Sequence, residues 1–150
     1  MRVFTLVDDC SQESPGLLMH HAVSAVRTTE FLDTLPALPT THVCDNGPEF
    51  TSQHLDQWAD ARGSTLQFIL PGKPIENCFI ENLNGRLRDE CLNEGWFVDL
   101  ADAQRTIDAW RLACNTARLP SGLANRTPAE FANTLTEMTV SRANPTDRYE

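Results

Sequence analysis

The sequence predicts an α/β fold in which a mixed sheet is flanked by helices. Two apolar segments open the chain with no helical pattern between them, and the later strand segments alternate with segments of helical period. An opening pair of strands followed by such alternation is typical of a mixed sheet with helices against it. The length of 150 residues fits one domain that can bury a sizeable core.

The first half of the chain contains three strand segments and two helices. Strands are predicted at residues 2–7, 17–23 and 41–44, and helices at 28–35 and 52–62. The pair Pro15-Gly16 separates the first two strands, and Pro36 ends the first helix. Ser52 is a typical helix N-cap and Gly63 a typical stop, so the second helix has both of its boundaries marked.

The second half is mainly helical. A strand is predicted at 65–70, a stiff Pro-Gly-Lys-Pro loop at 71–74, and helices at about 75–93 and 100–116. The Ser/Thr-x-x-Glu spacing of Thr127 and Glu130, with a proline between them, predicts a short final helix. The sequence from Thr136 onward is polar and lacks a helical or strand period. We therefore predict one core domain at 1–135 and a poorly ordered tail at 136–150.

Composition and charge limit the classes of function. Hydrophobic residues make up 41% and charged residues 22% of the chain, which is typical of a globular protein. The net charge of −9 counts against strong autonomous DNA binding, because that affinity rests on cations that neutralise phosphates. The five cysteines form no Cys-x-x-Cys pair, and no signal peptide or ~20-residue apolar span is found. We therefore expect reduced thiols and a cytoplasmic location.

Two carboxylates, Asp45 and Glu81, are the strongest candidates for chemistry. Asp45 follows a predicted strand and opens an Asn-Gly turn, while Glu81 lies within a predicted helix. Thirty-five residues separate them. Hard oxygen ligands on a strand end and a helix suit a Mg²⁺-dependent phosphoryl-transfer site. The alternatives are that Asp45 only closes a turn and that Glu81 only lies on a solvated helix face.

The helix around Glu81 has two distinct faces. Phe79, Leu83 and Leu87 recur every fourth residue and are predicted to face the core. A polar stripe with i, i+3 and i+4 spacing consists of Asn77, Glu81, Asn84 and Arg88. A metal-type ligand beside amides and a cation suits a site next to a phosphate backbone. Together with Lys73 of the preceding loop, Asn77, Asn84 and Arg88 form the predicted DNA-binding set, and Arg86 is a further candidate phosphate contact.

Tryptophan and histidine give weaker signals. Trp58, Trp96 and Trp110 are predicted to be core anchors and not base-stacking platforms. The four histidines are scattered through the sequence, so ordinary surface or half-buried positions are favoured over metal ligation.

Three stretches of the sequence resemble a known family. They are 45–52 (Asp-Asn-Gly-Pro-Glu-Phe-Thr-Ser), 71–74 (Pro-Gly-Lys-Pro) and 79–93, which contains Phe-Ile-Glu and Arg-Asp-Glu-Cys-Leu-Asn. These look like the integrase core of bacterial insertion-sequence transposases, the retroviral-integrase-like group expressed from two overlapping reading frames. Trp110-Arg111, Asn115-Thr116 and the segment 127–131 resemble its C-terminal part. The resemblance covers about residues 2–132.

The resemblance implies a ribonuclease-H-like fold, two divalent metal ions (Mg²⁺ or Mn²⁺), and DNA cleavage and strand transfer. Asp45 matches the second acidic residue of the family and Glu81 the third. The first acidic residue belongs to an opening strand that has no counterpart here, so we expect the fold to be missing its first strand. Asp8 or Asp9 is the candidate to replace this first acidic residue, but each lies at the end of the wrong strand. The family's Tyr-Asn-x-x-Arg-Pro-His stretch is also altered, appearing as residues 114–120 without its Tyr and Pro-His pair.

Two functional hypotheses follow. The leading one is a transposase catalytic-core fragment that acts on transposon-end and target DNA by ancestry and is inactive alone. The alternative is a non-catalytic interaction module or inhibitor that associates with a full-length transposase or with itself. A third outcome is an unstable product in which a missing strand exposes the core and an unpaired sheet edge.

Overall fold

The computed structural model describes residues 1–47, 50–69 and 78–143, and the side chains as far as residue 139. The strands are β1 (Arg2–Thr5), β2 (Leu17–His20), β3 (Thr41–Cys44) and β4 (Thr65–Phe68). The helices are α1 (Ala25–Leu32), α2 (Gln53–Arg62), α3 (Cys78–Leu87), α4 (Leu100–Ala117) and α5 (Pro128–Ala143). A π-helical turn (Arg88–Leu92) extends α3, and a 3₁₀ turn (Ser121–Leu123) precedes α5. The predicted loop at 71–74 lies outside the described residues.

The four strands pair in two separate sheets. β1 is antiparallel to β2, and β3 is parallel to β4. The combination of parallel and antiparallel pairs agrees with the predicted mixed α/β class. Within the described residues, however, no pairing joins β1 to β3, so each sheet has two strands. In β3, Thr41 and Val43 are exposed and Cys44 is buried.

Local signals set most helix boundaries. The Ser52 hydroxyl accepts a hydrogen bond from the backbone N–H of Leu55 at 3.3 Å, which confirms the predicted N-cap of α2. Gly63 ends α2 with φ of 66°, the left-handed conformation that favours glycine. The start of α1 differs from the prediction, because Ser24 caps it and Ala25 is its first residue. Its end also differs, since α1 stops at Leu32 and not at residue 35.

The last helix begins as predicted and runs further. The backbone N–H of Thr127 donates to Glu130 Oε2 at 2.8 Å, and the N–H of Glu130 donates to Thr127 Oγ1 at 3.2 Å. This reciprocal pair is a capping box. It holds the pKa of Glu130 below its ordinary value through the Thr127 backbone hydrogen bond. Helix α5 continues past Thr136 to Ala143, so it is longer than the short helix that the sequence suggested.

The main core lies between β2, α3 and α4. Its buried members are Leu17, Met19, Leu83, Leu87, Cys91, Ala103 and Ile107. Ile80 packs against this cluster, whereas Phe79 is 38% exposed, so the predicted inward orientation of Phe79 is wrong. The inward stripe of α3 therefore follows residues 80, 83 and 87, which are spaced three and four apart as helix geometry requires. This packing turns the opposite face of α3 toward solvent.

A smaller aromatic cluster links β1 to the chain after β3. The Phe4 ring centroid lies 5.9 Å from that of Phe31 on α1, in an edge-to-face arrangement. It also lies 5.8 Å from the ring centroid of Phe50. Such pairs contribute about 0.5–1.5 kcal/mol beyond their area burial. The cluster holds β1 near the segment that follows β3, although the two strands are not paired.

Two amide side chains of α4 attach that helix to the first sheet. Gln104 accepts from the backbone N–H of Met19 and donates to the carbonyl of Leu17, both at 2.8 Å. Asn115 accepts from the N–H of Ser14 at 3.0 Å and donates to the carbonyl of Ser14 at 2.9 Å. Each amide satisfies one backbone donor and one acceptor, as a neighbouring strand would. Helix α4 therefore closes the outer side of β2.

Trp96 and Val98 are the most exposed of the large apolar side chains in the described part of the chain. Trp96 is 99% exposed and Val98 is 91% exposed, so the prediction that Trp96 anchors the core is wrong. Leu112 on α4 is likewise exposed. Among the helices in the described ranges, none combines the length and the apolar character that a membrane span requires.

Candidate functional site

Asp45 lies at the end of β3, where the chain turns sharply. Cys44 is buried and Asp45 is exposed, so the strand leaves the interior at this residue. Asp45 Oδ1 accepts a hydrogen bond from the N–H of Gly47 at 3.0 Å. Asn46 donates to the carbonyl of Ile69 at 3.1 Å, which ties the turn to the end of β4. Asp45 therefore closes a turn, and its side chain remains exposed within that turn.

The neighbouring Cys44 has an unreactive thiol. Burial raises the pKa of its thiol to about 11, and the negative charge of Asp45 acts in the same direction. The side chain therefore stays protonated at neutral pH, and a protonated thiol is neither a nucleophile nor a good metal ligand. Any metal chemistry at this turn depends on the carboxylate.

Glu81 lies in the first turn of α3 and is exposed. Leu83 and Leu87 on the same helix are buried in the core, and Glu81 lies on a different face. The surroundings of Glu81 are those of a solvent-exposed helix face. Exposure is also what a carboxylate needs to reach a hydrated ion.

The rest of the predicted stripe is only partly described. Asn84 is half-buried, and Arg88 is exposed at the first position of the π turn. Lys73 and Asn77 lie outside the described residues. Glu81, Asn84 and Arg88 are spaced three and four residues apart along one continuous helical segment, because the π turn follows α3 without a break.

The described residues contain no complete set of metal ligands. Within residues 1–47, 50–69 and 78–143, no group of three or more metal-type side chains is found. Asp45 and Glu81 are exposed hard-oxygen donors on separate elements, which fits a divalent cation that keeps several water ligands. The pairing of Asp45 with Glu81 stays a prediction.

Asp8, considered as a substitute for the first acidic residue, has a different role. Its Oδ1 accepts from the N–H groups of Cys10 and Ser11 at 3.1 and 2.6 Å, and from the Ser11 hydroxyl at 2.8 Å. These bonds close the turn after β1. Partial burial raises the pKa of Asp9, and the charge of Asp8 adds to this effect. Because Asp8 Oδ1 already accepts three hydrogen bonds within its own turn, it is poorly placed to bind a cation.

A cluster of arginine and glutamate side chains, which the sequence did not predict, lies between α3 and α4. Arg86 donates to Cys114 Sγ at 3.1 Å and its guanidinium lies 5.7 Å from the Trp110 ring centroid. Trp110 donates to Glu90 at 3.0 Å, and Arg118 pairs with the same carboxylate. The Arg118 hydrogen bond, more than any other contact, holds the pKa of Glu90 below its ordinary value. Arg86 thus serves to pack α3 against α4, which argues against its predicted phosphate contact.

The sequence held a partial signal for this cluster. Arg86 and Glu90 are four residues apart on one helical face, a spacing at which ion pairs form. Nothing local indicated their contacts with α4, which lie 20 to 28 residues further along the chain. The π turn brings Glu90 to these partners, and such turns recur at functional sites.

Known proteins with similar sequences come from insertion elements. The chain is 44% identical over 135 residues to the insertion element IS407 uncharacterized 31.7 kDa protein of Burkholderia multivorans. This match covers 88% of the chain and 49% of that relative. It is 36% identical to the insertion element IS476 uncharacterized 39.2 kDa protein of Xanthomonas euvesicatoria, covering 97% of the chain and 43% of the relative. The chain therefore spans about half the length of these curated relatives.

A solved structure supports the fold. The catalytic core domain of BIV integrase superposes with a TM-score of 0.71 over 92% of this chain and 89% of that one. The sequence identity is 16%, so this likeness concerns the fold alone. It confirms the predicted ribonuclease-H-like class.

Two family descriptions, both named integrase core domain, match successive parts of the chain. The first match covers residues 1–74 and the second covers residues 62–128. Both carboxylates of the candidate site fall inside these matches. With the insertion-element relatives and the shared fold, they show that this chain belongs to the integrase core domain family and is related to proteins of insertion elements.

Proposed function

We propose that this chain is the part of a DNA strand-transfer enzyme that supplies two of the metal-binding carboxylates, Asp45 and Glu81. The observation that supports this most is the position of each residue. One carboxylate leaves a strand end in a tight turn, and the other lies exposed on the helix whose opposite face packs in the core. Family membership supports DNA as the substrate class.

The carboxylates would hold Mg²⁺ or Mn²⁺. When bound, such ions activate an attacking oxygen and stabilise a leaving oxygen in phosphodiester chemistry. Asp45 contributes through an oxygen directed outward by its turn, while Glu81 contributes from a rigid helix. Asn84 and Arg88, on the same helical stripe, position a phosphate backbone, and we propose the same role for Lys73 and Asn77.

We further propose that the 150-residue chain is catalytically inactive by itself. Two carboxylates give fewer ligands and less negative charge than three, and catalysis of phosphoryl transfer depends mainly on positioning and electrostatics. Asp8 does not substitute, because its Oδ1 is engaged in the turn after β1. We expect metal binding to persist in weakened form.

The test separates metal binding from catalysis. In a strand-transfer assay with a labelled DNA end and Mg²⁺ or Mn²⁺, we expect no joined product. Paramagnetic Mn²⁺ should broaden the amide NMR signals near Asp45 and Glu81 of the same protein. We expect Asp45→Asn and Glu81→Gln each to weaken this broadening at least tenfold.

Two matched variants serve as controls. Asp60→Asn on α2 and Glu137→Gln on α5 remove exposed carboxylates elsewhere, and they should leave the broadening unchanged. Robust joining by the purified chain would overturn the proposed inactivity. Broadening that ignores both Asp45→Asn and Glu81→Gln would overturn the metal site.

A further inference from the structure

The second sheet has an unpaired edge that its own hydrogen bonds define. The N–H of Thr65 donates to the carbonyl of Thr40 at 2.8 Å, and the N–H of Ile69 donates to the carbonyl of Cys44 at 3.0 Å. In a parallel pair, alternate residues bond to the same neighbour. Residues 40, 42 and 44 therefore face β4, and the backbone groups of Thr41 and Val43 point the other way.

The first sheet has a corresponding edge on β1. Gln104 bonds the N–H of Met19 and the carbonyl of Leu17, so these two residues of β2 face away from β1. Their register partners are Val3 and Thr5. Residues directly opposite in an antiparallel pair share this orientation. The backbone groups of Val3 and Thr5 thus point away from β2.

We call the backbone groups of Val3, Thr5, Thr41 and Val43 the acceptor edges. Within the described residues, no hydrogen bond reaches any of them. The contrast with β2 matters, because Gln104 already covers its outer edge. Folded proteins normally protect exposed strand edges with charges, prolines or covering segments. β3 has the sequence Thr-His-Val-Cys, with no proline or formal charge, and its Val43 is 46% exposed.

Aromatic packing places the acceptor edge of β1 near the segment that follows β3. Phe4, between Val3 and Thr5, contacts Phe50 in the segment after β3. Phe4 and Cys44 are buried although each lies on a strand with one unpaired edge. A parallel two-stranded sheet is also unusual in isolation, because parallel strands are normally covered on both sides.

We propose that the acceptor edges bind an extended polypeptide segment by strand addition, and that the segment comes from a longer member of this family. Only an extended backbone offers N–H and C=O groups at the two-residue repeat that these edges present. The curated relatives are about twice as long as the matched region, so they contain such additional sequence. Two copies of this chain would each carry −9, and their mutual repulsion disfavours self-pairing. The inference rests on strand geometry and does not require the metal site.

The probe is a set of 12-residue synthetic peptides that tile the half of the IS407 protein outside the match. Each peptide is titrated into the ¹⁵N-labelled chain without divalent metal. We expect one peptide, or two overlapping ones, to bind and slow amide hydrogen exchange at Val3, Thr5, Thr41 and Val43 at least tenfold. The amides of Phe4 and Cys44, which already face β2 and β4, should change much less.

Two changes test whether the backbone is responsible. Val43→Pro removes an N–H that β4 does not use, so β3 and β4 stay paired and peptide binding should weaken at least tenfold. Val43→Thr keeps that N–H and should bind like the natural chain. Independently of any effect on folding, N-methylation at alternate residues of the binding peptide should abolish binding by the unaltered chain.

Four results would overturn the proposal. One is that no peptide binds at 1 mM, and another is that protection appears at Leu66 and Phe68, the outer edge of β4. Tight binding of the N-methylated peptide would mean that side chains, and not strand pairing, hold the ligand. Protection of the acceptor edges that rises with chain concentration alone would identify a second copy as the occupant. Because metal is absent, none of these results bears on Asp45 and Glu81.

Discussion

At the scale of single residues, side-chain amides decide how the first sheet attaches to the helices. Asn115 is 4% exposed and bonds both backbone groups of Ser14, which lies 101 positions earlier in the chain. The sequence marked Asn115 only as part of a family resemblance. It could not give this contact, because side-chain amides carry no local signal of their distant partners. By contrast, the Asn-Gly turn after Asp45 was predictable, since it depends on neighbouring residues alone.

Replacing Asn115 tests this role. Asn115→Ala leaves the buried N–H of Ser14 without its partner and removes one of the two donors to the Ser14 carbonyl, the other being Arg111. We expect the free energy of unfolding to fall by about 1–3 kcal/mol. Urea unfolding followed by circular dichroism measures the change. Asn82→Ala, at an exposed position of α3, is the matched control and should leave stability unchanged or slightly raised. A loss below about 1 kcal/mol for Asn115→Ala would contradict the assigned role.

At the scale of elements, the helix ends were more predictable than the helix faces. Ser52, Gly63 and the Thr127–Glu130 box are local sequence signals, and the structure bears them out. The inward face of α3 was shifted by one residue, because Ile80 and not Phe79 meets the core. The π turn after Leu87 was also unforeseen. It depends on Glu90 finding partners on α4, and tertiary contacts of this kind do not follow from helical periodicity.

Alanine substitutions at two glycines are predicted to change the stability in opposite directions. Gly63 has φ of 66°, so Gly63→Ala forces alanine into the left-handed region and should lower stability by about 1–2 kcal/mol. Gly85 is inside α3, and a Cβ there would meet nothing within 4 Å. Gly85→Ala should therefore raise stability by about 0.5–1 kcal/mol through helix propensity. The midpoint of urea unfolding should move in opposite directions for the two variants, and movement in the same direction would contradict the argument.

At the scale of the whole molecule, the net charge opposes binding of DNA, the proposed substrate. A chain with net charge −9 repels duplex DNA except where an exposed cation such as Arg88 offsets this charge locally. The unpaired edges of β1 and β3 instead favour a polypeptide partner. This balance gives the interaction hypothesis a physical basis while the family relationship remains that of an integrase core.

DNA affinity gives the corresponding prediction. At physiological salt, we expect the dissociation constant for a 20-base-pair duplex to be weaker than about 100 µM, the weak end of nonspecific binding. Fluorescence anisotropy at several salt concentrations measures this constant. Arg88→Gln should weaken the residual binding further, whereas Arg105→Gln, which removes an exposed arginine paired with Asp102 on α4, should not. Binding tighter than 1 µM would contradict the charge argument.

The sequence by itself determined the α/β class, the caps of α2 and α5, the two candidate carboxylates and the family. These features depend on residue types at short spacings, which the chain carries in its local order. Only the tertiary structure decided that the strands form two separate pairs, that Gln104 and Asn115 close one sheet, and that Arg86 packs toward Trp110. Such contacts join residues that are distant in sequence, and their energies depend on which faces the folded core leaves available.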